Sequence, residues 1–235
     1  MIEVRKLVKR FGMKPVLRGL DFTVQEGEFV ALLGPNGAGK TTFLRILASL
    51  SRPSLGQVAI GGYRLPDQAA AVRQRLGVVS HLPLLYGDLT AEENLQFFAR
   101  MYGVEEANKR ISVVLDLVGL TARRRDLVRT FSRGMQQRLA IGRAVLHDPD
   151  VILFDEPHTG LDQEACVMLD GVLKEVAARN RTVVMTSHDL VRVADLATRF
   201  DVISRGVIVA TVRRDEIETK DLLAFYRQAI QEAVN

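Results

Sequence analysis

Gly34-Pro-Asn-Gly-Ala-Gly-Lys-Thr41 decides how this 235-residue chain is read, because it satisfies the spacing G-x-x-x-x-G-K-[ST] at every fixed position. The run before it, Phe29-Val-Ala-Leu-Leu33, is short and apolar, as a buried parallel strand should be. The run after it, Thr42-Phe-Leu-Arg-Ile-Leu-Ala-Ser-Leu50, carries hydrophobes at helical period. Strand, glycine loop and helix in that order form a concave nest of backbone N–H groups at the positive end of a helix, where an anion binds. The expected ligand is a nucleoside triphosphate with Mg²⁺. Its candidate binding residues are Gly34, Pro35, Asn36, Gly37, Ala38, Gly39, Lys40, Thr41 and Thr42. Lys40 is placed to reach the β- and γ-phosphates. Thr41 is placed to offer its hydroxyl to Mg²⁺, a hard cation that takes oxygen ligands and commonly keeps several waters.

Composition narrows the alternatives. With 47% hydrophobic residues the chain can bury a full core as one large domain, or as one domain with a subdomain. A single cysteine, Cys166, excludes an intramolecular disulfide framework and fits a reducing cytoplasm. No apolar run approaches membrane-spanning length, and Met1-Ile-Glu-Val-Arg5 lacks the apolar core of a secretion signal, so no direct membrane insertion is expected. The net charge of +4 is weak as an argument for nucleic acid, and none is expected as a partner. Arg123-Arg-Arg125, followed by Asp126, reads as a solvated loop.

Along the chain, residues 2–8 and 20–24 alternate loosely and read as antiparallel strands, with a turn over 9–12. A strand at 57–60, a helix at 69–75 and a strand at 76–79 follow. Residues 91–102 and 105–118 read as consecutive helices, and 136–146 as a third. Val151-Ile-Leu-Phe154 and Thr182-Val-Val-Met-Thr186 are apolar strands joined by a helix over 163–179, a crossover that makes the architecture α/β. A hairpin about Arg205-Gly206 and a helix over 221–233 close the chain. The expectation is a single domain over 1–235. Its core sheet is mainly parallel, its N-terminal β subdomain antiparallel, and a helical subdomain is inserted at about 82–146.

The second half of the site is expected where an apolar strand ends in Asp155-Glu156-Pro157, because ligands of parallel sheets bind beyond the carboxyl ends of strands. Asp155 is suited to Mg²⁺, and Glu156 to orienting or deprotonating an attacking water. His188, in Thr186-Ser-His-Asp189, lies on the same sheet edge. A lone histidine is more often structural, but its strand-end position supports a γ-phosphate contact.

These segments resemble those of ABC transporter ATPase subunits over essentially the whole chain. The discriminating stretch is Phe131-Ser-Arg-Gly-Met-Gln-Gln-Arg138, similar to the family signature LSGGQ-x-Q-R. The resemblance implies an ABC-type ATPase that works as a head-to-tail dimer with two ATP molecules between the subunits. Ser132 and Gly134 would then contact the γ-phosphate across the dimer, and Asp162, in Thr159-Gly-Leu-Asp162, would lie in the loop through which subunits sense each other. Phe11 matches the aromatic that stacks on adenine. Lys40, Glu156 and His188 are the catalytic residues implied, with Thr41 and Asp155 at the metal. Arg133 and Met135 depart from the signature. His81 stands where the family carries a glutamine that links Mg²⁺ to the membrane subunit, and imidazole is a poorer Mg²⁺ partner than an amide oxygen.

The segment from Ser80 to Leu95, taken with the signature, resembles the heme exporter ATPases of cytochrome c maturation. It is also close to ATPases of drug and polysaccharide exporters whose membrane subunits are encoded separately. Either way the implied partners are an integral-membrane permease and a second ATPase subunit. The implied location is cytoplasmic and peripheral, at the inner face of the cell membrane. A non-transport ABC protein acting on ribosomes or DNA is the remaining alternative.

Overall fold

The computed structural model describes residues 1–80, 82–178 and 181–233. Its first elements are β1 (Ile2–Phe11), β2 (Lys14–Val24), β3 (Phe29–Leu33), α1 (Lys40–Leu47), β4 (Leu55–Ile60) and β5 (Tyr63–Leu65). Next come α2 (Ala69–Gln74), β6 (Leu76–Val79), α3 (Ala91–Tyr102), α4 (Ala107–Leu117) and α5 (Arg133–Val145). The last part holds β7 (Val151–Asp155), α6 (Gln163–Ala177), β8 (Thr182–Ser187), α7 (Leu190–Ala194), β9 (Arg199–Ser204), β10 (Val207–Arg213) and α8 (Leu222–Glu232).

The main sheet has the order β10-β9-β3-β8-β7-β6, with every pair parallel except β10 with β9. Both its faces are covered, which is why its strands read as continuous apolar runs rather than alternating ones. Phe29, Ala31 and Leu33 of β3 point into a core shared with the helices, while Val30 and Leu32 point into the core beneath the β subdomain. β7 divides the same way, with Ile152 and Phe154 on the helix side and Val151 and Leu153 opposite. The second sheet, β2-β1-β4-β5, is antiparallel throughout and packs with α1 on that opposite face. The α/β class with an antiparallel β subdomain and a mainly parallel core is therefore as expected.

Several boundaries differ. The expected turn over 9–12 is strand as far as Phe11, because β1 continues to pair with β2 through register shifts, one of them beside Lys6 with its positive φ of 48°. Strand β5 and helix α7 were not anticipated. α5 begins at Arg133 rather than 136, since Ser132 caps it by accepting a hydrogen bond from the Met135 N–H at 3.2 Å. α4 starts at Ala107, after Glu106 in a left-handed conformation, and α6 stops at Ala177. Arg179, the expected end of α6, lies outside the described residues, as does His81. Cys166 is buried, and burial pushes its thiol pKa up, which leaves it an inert helix residue. Of the basic triplet, Arg124 bonds Glu92 at 3.1 Å and so ties its loop to the first turn of α3.

Candidate active site

Three parallel strands deliver the site to one sheet edge. β3 runs into the glycine loop, β7 ends on Asp155, and β8 between them ends just before His188. The loop closes on α1 through Gly39, whose φ of 111° suits glycine, and a Cβ there would lie 2.9 Å from the Leu17 side chain. A cavity of about 830 Å³ opens over this edge, lined by Gly34, Pro35, Asn36, Gly37, Gly39, Lys40, Thr41, Thr42, Asp155, Glu156 and His188. Ala38 of the loop is buried instead. Its carbonyl accepts from the Gly206 N–H at 3.0 Å, which fixes the loop to the β9–β10 turn.

Lys40 is buried and donates from Nζ to the Gly34 carbonyl at 2.7 Å, with the Pro35 carbonyl at 3.4 Å and Glu156 Oε1 at 3.6 Å. A cation held among loop oxygens in this way is poised to exchange them for phosphate oxygens. The other Glu156 oxygen, Oε2, is 2.7 Å from His188 Nδ1. Glu156 itself has a left-handed backbone, φ 52°, which a non-glycine residue adopts only when its surroundings hold it. Thr186 does the holding. The Glu156 N–H donates to Thr186 Oγ1 at 3.0 Å and to the Thr186 carbonyl at 3.2 Å. The Thr186 hydroxyl in turn donates to Asp155 Oδ1 at 2.9 Å, and the Thr41 hydroxyl reaches the same oxygen at 3.2 Å.

Among the described residues, no cluster of three or more His, Cys, Asp or Glu side chains could by itself cage a metal. The Thr41 hydroxyl beside the Asp155 carboxylate is an oxygen-only pair. That suits Mg²⁺, which is held by few protein groups together with substrate phosphates and water.

The other expected residues lie elsewhere. Phe11, at the end of β1, is 57% exposed, outside the cavity lining, with Lys9 Nζ 4.9 Å from its ring centre. Asp162 caps α6 by accepting from the Ala165 N–H at 2.8 Å. Gly134 is buried against α6, where a Cβ would meet that of Ala165 at 2.7 Å. Arg133 lies along Gly160, so the signature and the Thr159–Asp162 loop of one chain are in direct contact. Sequence reasoning missed Thr186, which reads as an ordinary β-branched strand residue. It also missed Lys14, Val16 and Tyr226, which join the cavity lining only through tertiary folding.

A phosphate-binding loop at a helix N-terminus, facing a carboxylate pair at the carboxyl end of the next-but-one parallel strand, defines the class of P-loop ATPases. The family described as ABC transporter matches residues 17–159, and the chain belongs to it. It is 37% identical over 212 residues to a linearmycin resistance ATP-binding protein of Bacillus subtilis (strain 168), covering 89% of this chain and 68% of that protein. It is 40% identical over 211 residues to the Nod factor export ATP-binding protein I of Burkholderia lata, covering 89% and 69%. Among solved structures, an ATP-binding subunit of an ABC transporter superposes with a TM-score of 0.86 at 30% identity, covering 97% of this chain and 99% of that one. A dimeric cassette in a post-hydrolysis state bound to ADP and Pi gives 0.81 at 28% identity, covering 91% and 99%. The chain is thus an ABC-type ATP-binding subunit with an ATPase fold and site.

Proposed function

We propose that the chain is the ATP-hydrolysing motor of an exporter of the drug or polysaccharide type, acting as an ATP-dependent dimer on separately encoded membrane subunits. The observation that carries the chemistry is the Glu156 carboxylate, held by a strained backbone between Lys40 and His188 at the mouth of the glycine loop. Glu156 orients and deprotonates the attacking water, while Lys40 and His188 stabilise charge on the transferred phosphoryl group. Thr41 and Asp155 hold Mg²⁺, which supplies positive charge to the phosphates. Ser132 and Gly134 serve the partner's nucleotide across the dimer, and Asp162 lies in the loop through which the subunits sense each other.

The choice of cargo class leans on the relatives, a resistance protein and Nod factor exporters, which favour this class over heme export. The heme resemblance rests on Ser80 to Leu95 taken with the signature Phe131 to Arg138, and of these residues His81 lies outside the described ones. Among the described residues, no helix is long and apolar enough to cross a membrane. Leu82, Leu84 and Tyr86 are exposed, as are Phe97 and Met101 of α3, and Tyr86 meets Phe97 edge-on with ring centres 5.1 Å apart, apolar surface suited to a membrane subunit's short helix at the inner face of the cell membrane.

Glu156→Gln tests the motor. It should still bind ATP, hydrolyse it at least about a hundredfold more slowly, and accumulate as a dimer on a sizing column. Wild-type turnover would remove Glu156 from its role. Capturing that variant with ATP from solubilised membranes, with mass spectrometry of the co-purified proteins, tests the rest. A permease related to the resistance or Nod-factor systems supports the cargo class, whereas cytochrome c maturation proteins or ribosomal proteins overturn it.

A further inference from the structure

Directly behind the catalytic edge, a second set of polar contacts joins the same two loops. His158, two residues after Glu156, turns its ring away from the cavity, with its side chain only 10% exposed, and places Nε2 2.7 Å from Asp170 Oδ1 on α6. The other Asp170 oxygen accepts from Arg192 Nη1 at 2.8 Å. Arg192, on α7, also lies 3.2 Å through Nε from Asp189 Oδ2, and its N–H donates to Asp189 Oδ1 at 3.2 Å. Asp189 adjoins His188 in the chain, and His188 bonds Glu156. The path closes into a ring that runs from Glu156 through Pro157, His158, Asp170, Arg192, Asp189 and His188 back to Glu156.

We infer that His158 is a positioning residue for hydrolysis: with Asp170 and Arg192 it forms a brace that fixes the loop of Glu156 relative to the loop of His188. The inference rests on the reading of Glu156 and His188 as catalytic, and three observations support it. Glu156 has a left-handed backbone, which stays in place only if the chain on both sides is held. Thr186 holds the N-terminal side, and beyond Pro157 the first buried side-chain anchor is His158. Asp170 is in turn fixed by Arg192, so the carboxylate accepts and His158 Nε2–H donates. His158 Nδ1 is buried without a hydrogen-bond partner among the described residues, so the contact with Asp170 is what holds the ring. Lastly, the ring ties α6 and α7 to each other through one carboxylate, so a movement of either loop is felt by the other. A brace of this kind acts on the transition-state geometry, where displacements near 1 Å are costly, and leaves the phosphate grip of the glycine loop untouched.

The test compares steady-state ATP hydrolysis by the full-length chain and its variants with their thermal midpoints. His158→Ala should lower kcat by about tenfold to a hundredfold, with KM for ATP changed by less than about threefold. His158→Gln presents an amide N–H where Nε2–H stood, and should recover kcat to within about threefold of wild type. His158→Ala combined with Asp170→Ala should be no worse than either alone, as expected for members of one unit. Should His158→Ala fail to fold, Asp170→Asn keeps the side-chain shape and loses the charge, and it should show the same selective fall in kcat. A wild-type kcat in His158→Ala or Asp170→Asn overturns the brace, as does a kcat loss that glutamine fails to repair. Glu156→Gln in the same assay separates the two levels. If it turns over normally, the catalytic reading itself fails; if it is inactive while His158→Ala is normal, only the brace fails.

Discussion

A single hydroxyl joins the two acids of the site. Thr186 Oγ1 accepts the Glu156 N–H and donates to Asp155 Oδ1, so it orients together the residue proposed to activate water and the one proposed to hold the metal. Thr186→Val keeps the shape and the β-branched fit to the strand but removes both bonds. Asp155 is buried and would be left with the Thr41 contact at 3.2 Å, and the Glu156 N–H with the Thr186 carbonyl at 3.2 Å. Unfolding by urea should show a loss of about 1–3 kcal/mol, the usual cost of a buried polar group losing its partner. ATP turnover should fall about tenfold or more because the strained Glu156 backbone loses one of its two acceptors. An unchanged turnover would mean that the carbonyl alone holds Glu156. Thr186 was invisible in the sequence, since a threonine within Val-Val-Met-Thr satisfies strand propensity and nothing marks its hydroxyl as facing a carboxylate.

The signature helix shows what glycine does at the level of elements. Gly134 lies in the first turn of α5, where α6 passes so close that a Cβ would sit 2.7 Å from that of Ala165. Gly134→Ala should therefore push the two helices apart and destabilise the chain by about 1–3 kcal/mol in chemical denaturation, despite alanine's better helix propensity. Adding Ala165→Gly should restore much of the loss, because the clash is between those two methyl groups; no recovery would point to a different origin for the cost. The same helix marks the limit of sequence reading. β3, β7 and β8 were legible because strands buried on both faces are apolar throughout, and α3 because its hydrophobes fall at helical period; the Thr90–Glu93 capping box that starts it is seen in the structure. The first turn of α5, Arg133-Gly-Met, offers no hydrophobic period, and its cap Ser132 carries the signal alone. Strand β5 and helix α7 have 3 and 5 residues, too short for any period to show. The site was legible wherever spacing encodes it, at Lys40, Thr41, Asp155, Glu156 and His188. It was not legible where folding alone brings residues in, as with Thr186, Tyr226 and the link from His158 to Asp170.

At the scale of the whole molecule, the response to acid follows from groups whose protonation differs between the folded and unfolded chain. His147, just after α5, stacks on Tyr102 of α3 with ring centres 3.9 Å apart, and burial lowers its pKa from 6.5 to about 4. The folded chain thus resists a proton that the unfolded chain accepts, so stability is fully present above about pH 6.5 and is lost progressively as the pH falls toward 4. The interval corresponds to roughly 3 kcal/mol at about 1.4 kcal/mol per pH unit, an upper figure for a ring that is not fully enclosed. Two carboxyls bracket this effect. Asp201 is raised by burial, so its protonation on acidification relieves a penalty and works in the opposite direction. Glu92 is lowered by its bond to Arg124, and that stabilisation is lost only at still lower pH, below the ordinary carboxylate value. Comparison with His147→Phe isolates the histidine, because phenylalanine keeps a ring against Tyr102 and has no proton to take. Urea midpoints measured from pH 7.5 to pH 4.5 should fall more steeply for wild type than for His147→Phe, with the gap opening below about pH 6.5. Parallel curves would show that the folded chain admits the proton at His147 as readily as water does, and acid sensitivity would then have to be sought in the carboxylates.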